Sequence, residues 1–261
     1  MHSDEEISQI IGSGCVTEKL HHWPLSFVLL VSAEDGARYI YKAQRSGVEA
    51  EFFRRAAGID APFLVRPVYS ARCADTDVMI FPYIENRKWE PTCVEHLAEV
   101  RSLRKVIASL EGKCPVWLDM STPEKLATVA EEAVEIAGDA LPEGRAEAYL
   151  EWIWRSGPLF DRGVGFIHGD LTASNLLHSG NSMYIIDWQR PLLAPFVLEE
   201  ACAFDIKDMR KVVPQDAYLM AVAYHAIWYA RAWRDYMPEL AGIRLHAAEL
   251  MEEFYRGRIK G

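Results

Sequence analysis

One stretch of the chain has residue types and spacing able to do chemistry. In Phe166–Ile167–His168–Gly169–Asp170–Leu171–Thr172–Ala173–Ser174–Asn175 an asparagine follows an aspartate by five positions. A second aspartate, Asp187, comes 17 residues after Asp170 and directly follows the apolar run Tyr184–Ile185–Ile186. A carboxylate at a loop tip can orient a hydroxyl and accept its proton. An asparagine amide oxygen and a strand-end carboxylate are hard oxygen donors of the kind magnesium takes. Together they are the parts that phosphoryl transfer from a nucleoside triphosphate requires.

The whole chain can support such a site. It has 261 residues, 50% hydrophobic and 25% charged, with 11% aromatic, enough to bury a core and to exclude wholesale disorder. At ~100–200 residues per domain this length fits one or two domains. The net charge of −10 gives no basic footprint for phosphates, so no nucleic-acid partner is expected. Cys15, Cys73, Cys93, Cys114 and Cys202 are dispersed without CxxC spacing, unlike a disulfide framework or a zinc site. The N-terminal MHSDEEISQI lacks a basic region followed by an apolar one, and the longest clean apolar run is Phe27 to Val31. No signal peptide, no membrane span and a cytoplasmic, reducing location are therefore expected.

The elements that must position the site divide into two textures. Ser26 to Ser32 and Arg38 to Ala43 read as strands joined at Glu34–Asp35–Gly36, an antiparallel hairpin. Ile10–Ile11 leads into a flexible turn at Gly12–Ser13–Gly14. Gly47 to Ala57 reads as a helix with Phe52, Phe53 and Ala56 on one face, and Leu64 to Ser70 and Val78 to Ile84 as further strands. From about residue 92 the pattern is helical: 95–111, a helix opened by Thr122 and Pro123, then 145–156, 216–236, and one from Pro238 to about Arg256. The non-helical island Val164 to Pro195 holds the chemistry.

The loop His168–Gly169–Asp170–x(4)–Asn175 and the triplet Ile186–Asp187–Trp188 resemble those of the aminoglycoside phosphotransferase and choline kinase-like family. The resemblance implies an α+β, two-lobed protein-kinase-like fold. Residues 1–84 would form a small antiparallel β N-lobe with one helix, ending in a hinge. Residues 85–261 would form a larger, mostly α C-lobe with the catalytic loop at 164–190. It implies an ATP- and Mg2+-dependent small-molecule kinase, with Asp170 as catalytic base, Asn175 and Asp187 as magnesium ligands and His168 as a brace of the loop. Lys42 would contact the nucleotide phosphates and pair with a helix glutamate. Glu49 is favoured, because Phe52 and Phe53 at +3 and +4 turn its face inward, and Glu51 is the alternative. Gly12, Ser13 and Gly14 would form the turn over the phosphates. Pro82 would accept from the adenine and Ile84 donate to it at the hinge, since proline has no N–H.

The spelling Asp170–Leu171–Thr172 also resembles the small atypical protein kinase of the KEOPS complex. Asp187–Trp188–Gln189 in place of Asp-Phe-Gly, the acidic chain and the helical segment 92–160 favour a small-molecule kinase. A nucleotide-binding pseudokinase is the third reading, and the intact set Lys42, Asp170, Asn175 and Asp187 speaks against it. The acceptor is expected to be a small-molecule alcohol, with aminoglycosides, choline-like amines and sugars as candidates. Trp152, Trp154, Trp228 and Trp233, with acids such as Glu199, Glu200, Asp205, Asp235 and Glu239, would suit a cationic one if they lined the pocket.

Overall fold

A computed structural model describes residues 2–87 and 89–259. The chain forms two compact units. The first comprises Met1–Trp89, Lys113–Pro115 and Asn175–Gln189, and the second comprises Glu90–Gly112, Val116–Ser174 and Arg190–Gly261.

The first unit opens with helix α1, Asp4–Ile11. Ser3 and Glu6 make a reciprocal capping box, and Gly12 ends the helix in the left-handed region at φ 74°. The sequence reading expected one helix here. Ser3-x-x-Glu6 was the available signal for a second, and a helix of only eight residues gave little periodicity beyond it.

Five antiparallel strands follow: β1 Cys15–Trp23, β2 Ser26–Ala33, β3 Arg38–Gln44, β4 Tyr69–Cys73 and β5 Thr76–Pro82, in the order β1-β2-β3-β5-β4. Helix α2, Val48–Ala56, lies between β3 and β4 in sequence. The expected hairpin is present, with Val28 opposite Lys42 and Ile40 opposite Phe81 in register. Strand alternation gives the sheet two different faces. Leu29, Val31, Tyr41, Ala43, Val78 and Ile80 form a core with Ile7 of α1. Their neighbours Val28, Ile40, Lys42 and Phe81 face the other way.

The strand expected at Leu64 to Ser70 begins only at Tyr69. Pro67 lacks the N–H a ladder needs, and Leu64 instead makes an isolated bridge to Ile185. Strand β1 was not anticipated, because its Thr17, Glu18, Lys19, His21 and His22 lie on an exposed edge and dilute the apolar pattern. A two-stranded ribbon, Leu176–Ser179 with Ser182–Ile185, completes this unit.

The second unit is mainly helical: α3 Cys93–Ala108, α4 Pro123–Ala137, α5 Arg145–Arg155, α6 Phe196–Cys202, α7 Ile206–Val212, α8 Gln215–Tyr236 and α9 Ala241–Ile259. Thr122 caps α4 with Pro123 in its first turn, as the sequence implied. The last helix starts at Ala241 rather than Pro238, after a turn in which Leu240 N–H donates to Met237 C=O. Helix α8 is apolar around most of its circumference and forms the centre of the core with α4 and α9. Three short strands, Leu118–Asp119, Leu192–Pro195 and Val164–Ile167, pair side by side, and the last leads into His168. Among the described residues no helix is long and apolar enough to cross a membrane.

Candidate active site

The first unit encloses a cavity of about 480 Å³. Sheet alternation and the helix period decide which side chains enter it. Lys42 projects from β3, and Glu49 from the first turn of α2. Lys42 Nζ lies 2.7 Å from Glu49 Oε2 and 2.5 Å from Asp187 Oδ1. Burial pulls the Lys42 ammonium down, but the Asp187 and Glu49 carboxylates outweigh it and hold the amine above its ordinary value. Burial pushes the Glu49 carboxyl up, against the pull of Lys42.

Gln44 Nε2 also donates to Glu49 at 2.5 Å, and Trp188 N–H donates to Glu49 Oε1 at 2.9 Å. Glu49 therefore ties the strand lysine to the backbone beside Asp187. Glu51, two residues on, points to Arg54 and Arg55, whose hydrogen bonds lower its carboxyl to about 2. Of the two candidate glutamates, Glu49 is the one beside Lys42.

Asp187 sits at φ 68°, a left-handed conformation that a non-glycine residue adopts only when its surroundings fix it. The neighbouring Trp188 supplies the anchor. Its indole is fully buried and stacks on Phe52 with centroids 4.4 Å apart and planes 8° from parallel. Such stacking contributes about 0.5–1.5 kcal/mol beyond burial. Gln189 Nε2 donates to Asp187 Oδ1 at 2.6 Å.

Asn175 ends a short helical turn and lines the same cavity. Its C=O accepts from Ile186 N–H at 3.0 Å, which fixes it relative to the strand end. One amide oxygen and one carboxylate suit magnesium, which takes one or two protein carboxylates and completes its shell with phosphate and water. Among the described residues no group of three or more His, Cys, Asp or Glu side chains could hold a metal alone.

Pro82 and Ile84 line the cavity at the end of β5. Tyr83 N–H between them donates to Arg38 C=O at 2.9 Å, so it is committed to the sheet. Gly12, Ser13 and Gly14 are placed elsewhere. Gly12 caps α1, and Gly14 packs so tightly on Glu34 that a Cβ would come within 2.6 Å of its carboxylate. On that side the β1–β2 hairpin reaches the cavity instead, through Leu20, His21, Ser26 and Val28. A register shift between Lys19 and His21 lets the adjacent Leu20 and His21 both do so. The Pro24–Leu25 turn between two strands was the sequence signal for this hairpin.

In the second unit, the backbone of the Asp170 loop is held from below. His168 N–H and Gly169 N–H donate to the two carboxylate oxygens of Glu199, at 2.9 and 2.8 Å. His168 is fully buried, as expected of a brace. Of the neighbouring acids, Glu199 on α6 is the one that reaches this backbone. Glu200 pairs with Arg101 and Arg104.

Burial pushes the Glu199 carboxyl up to about 7, against the pull of the two N–H donors. The folded chain then binds more protons than the unfolded chain between about pH 4.5 and 7. Stability should therefore fall as pH rises through that window, by up to about 3 kcal/mol. Melting temperatures taken across it should show the slope, and Glu199→Gln should flatten it.

Gly169 has φ 79°, and a Cβ there would meet the Arg190 carbonyl oxygen at 2.5 Å. Gly169→Ala should cost about 2 kcal/mol or more through backbone strain and this contact. Chemical denaturation would measure that loss. Asp170 itself is ion-paired with Arg190, whose guanidinium carbon lies 4.6 Å from the Trp228 ring centroid. No sequence pattern singled out Arg190.

Several of the acids and tryptophans offered for a cationic acceptor have other partners. Glu199 and Glu200 are engaged as above, and Asp235 pairs with Arg234. Trp152 packs edge-on to Phe254, and Trp233 lies under Arg244.

The sequence pattern of the phosphotransferase enzyme family (APH) matches residues 24–245. No curated protein matches significantly. The aminoglycoside phosphotransferase APH(2")-IIa in its gentamicin complex is a similar solved structure, with TM-score 0.62, 16% identity, and 95% of this chain and 94% of that one covered. A thermostable APH(4)-Ia mutant with ADP and hygromycin B gives TM-score 0.61, 10% identity, and 98% and 99% coverage. Choline kinase from Cryptosporidium parvum Iowa II gives TM-score 0.56, 14% identity, and 94% and 89% coverage. The fold is thus the protein-kinase-like one of small-molecule kinases.

Proposed function

The chain belongs to the phosphotransferase enzyme family, and from that premise we propose that it transfers the γ-phosphoryl group of ATP to a hydroxyl of a small-molecule alcohol. The observation that carries this reading is the cavity in which Lys42, Glu49, Asn175 and Asp187 converge beside the Pro82–Ile84 strand end. One similar structure holds ADP together with hygromycin B and another holds gentamicin, which supports a nucleotide and a small molecule as the ligand classes.

Each residue then has a defined task. The C=O of Pro82 accepts from the adenine amino group and Ile84 N–H donates to the ring. Lys42, held by Glu49, sets its ammonium against the phosphates. Asn175 and Asp187 would hold magnesium, which when bound supplies charge neutralisation on the phosphate oxygens. Asp170 orients the acceptor hydroxyl and accepts its proton as the oxygen attacks phosphorus in line. The bond from phosphorus to the bridging oxygen breaks, ADP leaves, and the proton passes on to water. Positioning and electrostatics account for most of the acceleration.

The β1–β2 hairpin, rather than Gly12–Ser13–Gly14, is the segment we assign to the phosphates. An ADP-release assay over pooled aminoglycosides, choline-like amines, amino-alcohols, sugars and nucleosides tests the reading. Release that rises with one pool supports it, and release that no alcohol stimulates counts against it.

A further inference from the structure

We infer that Arg190 is a second catalytic cation, which stabilises the phosphoryl group as it passes to the acceptor. The inference rests on Asp170 being the base. Three contacts within the second unit hold Arg190 in place. Its Nη2 donates to Asp170 Oδ2, with the two side chains 17% and 20% exposed. Its guanidinium lies over the Trp228 ring of α8 at 4.6 Å. Its backbone carbonyl packs where a Cβ on Gly169 would be only 2.5 Å away, so the glycine before the base is what admits it.

The chemistry places the phosphoryl group within reach. A general base stands about 2.6–3.2 Å from the hydroxyl oxygen it serves. That oxygen must approach phosphorus to about 3–3.5 Å before it attacks. A donor on the same carboxylate is therefore one side-chain swing from the transferred oxygens. Arginine has five N–H donors in a planar fork, so one guanidinium can hold Asp170 and a phosphoryl oxygen together.

The charges also exchange favourably. As Asp170 takes the acceptor proton, the guanidinium loses its anionic partner there and gains one in the new phosphate ester. Lys42 is already shared between Glu49 and Asp187, so it serves the nucleotide end. Trp228 is on this account a positioning residue, because stacking fixes the plane of the fork.

Aluminium fluoride added to Mg-ADP mimics the transferring phosphoryl group and requires no knowledge of the acceptor. The measurement is ADP affinity with and without it, for wild type, Arg190→Gln, Trp228→Ala and Trp228→Phe, with a thermal melt to verify folding. Wild type should bind ADP at least about tenfold tighter with fluoroaluminate, as expected for an arginine acting on the transition state. Arg190→Gln should lose that gain while its affinity for ADP alone changes less than about threefold. Trp228→Ala should lose part of the gain and Trp228→Phe should restore it.

A wild-type gain that persists in both Arg190→Gln and Trp228→Ala would overturn the inference, as would ADP binding in wild type with no gain at all. Should Arg190→Gln fail to fold, the Trp228 pair decides alone. Failure of wild type to bind ADP would instead sink the nucleotide reading, and this inference with it.

Discussion

Asp170→Ala should lower turnover by about three orders of magnitude or more while Mg-ATP affinity stays close to wild type. A well-placed general base contributes about 10²–10⁴ in rate, and an aspartate that also orients the nucleophile should lie at the upper end. The residues proposed to bind the nucleotide, Lys42, Glu49, Asn175 and Asp187, all belong to the other unit, and the Lys42 ion pairs do not involve this carboxylate. Steady-state kinetics and a calorimetric titration on the same protein separate the two effects. A parallel fall in kcat and affinity would mean that Asp170 supports the fold rather than the chemistry.

Asp187→Asn should weaken Mg-ATP binding by about 100-fold and remove most of its dependence on magnesium. The loss has two parts. The carboxylate that would face the cation is gone, and Lys42 keeps only Glu49 as its buried counter-charge. Asparagine is the informative substitution because it tolerates the left-handed backbone at φ 68°, whereas alanine would add strain. Nucleotide titrations with and without magnesium give the result. Unchanged magnesium dependence in the variant would place the metal elsewhere.

How much of this was legible in the sequence depended on how local each signal was. Asp170, Asn175 and Asp187 stood out because five residues of loop and one apolar strand fix them relative to one another along the chain. Lys42 and a glutamate partner on the helix were named by the resemblance, and period chose Glu49 over Glu51. Alternation along β3 puts Lys42 opposite Tyr41 and Ala43, and the helix turn separates Glu49 from Glu51.

Glu199 was not separable from Glu200, since both sit in one acidic stretch. Only the packing of α6 under the His168–Gly169 backbone distinguishes them. Arg190 carries no local pattern at all, because its partners are 20 residues back at Asp170 and far ahead at Trp228. Gly12–Ser13–Gly14 is an ambiguous signal for a physical reason. A glycine that can bend round a phosphate can equally end a helix in the left-handed region, and here it does the latter. The exposed edge strand β1 hid the hairpin that reaches the cavity.

The central claim is that Asp170 activates an alcohol for attack on ATP. Its most direct test is mass spectrometry of the pooled alcohols after incubation with Mg-ATP and either wild type or Asp170→Asn, both verified to bind nucleotide. The account predicts an alcohol that gains one phosphoryl group with wild type and stays unmodified with the variant. The same product formed at equal rate by both proteins, or phosphate found on the protein itself and on no alcohol, would contradict it.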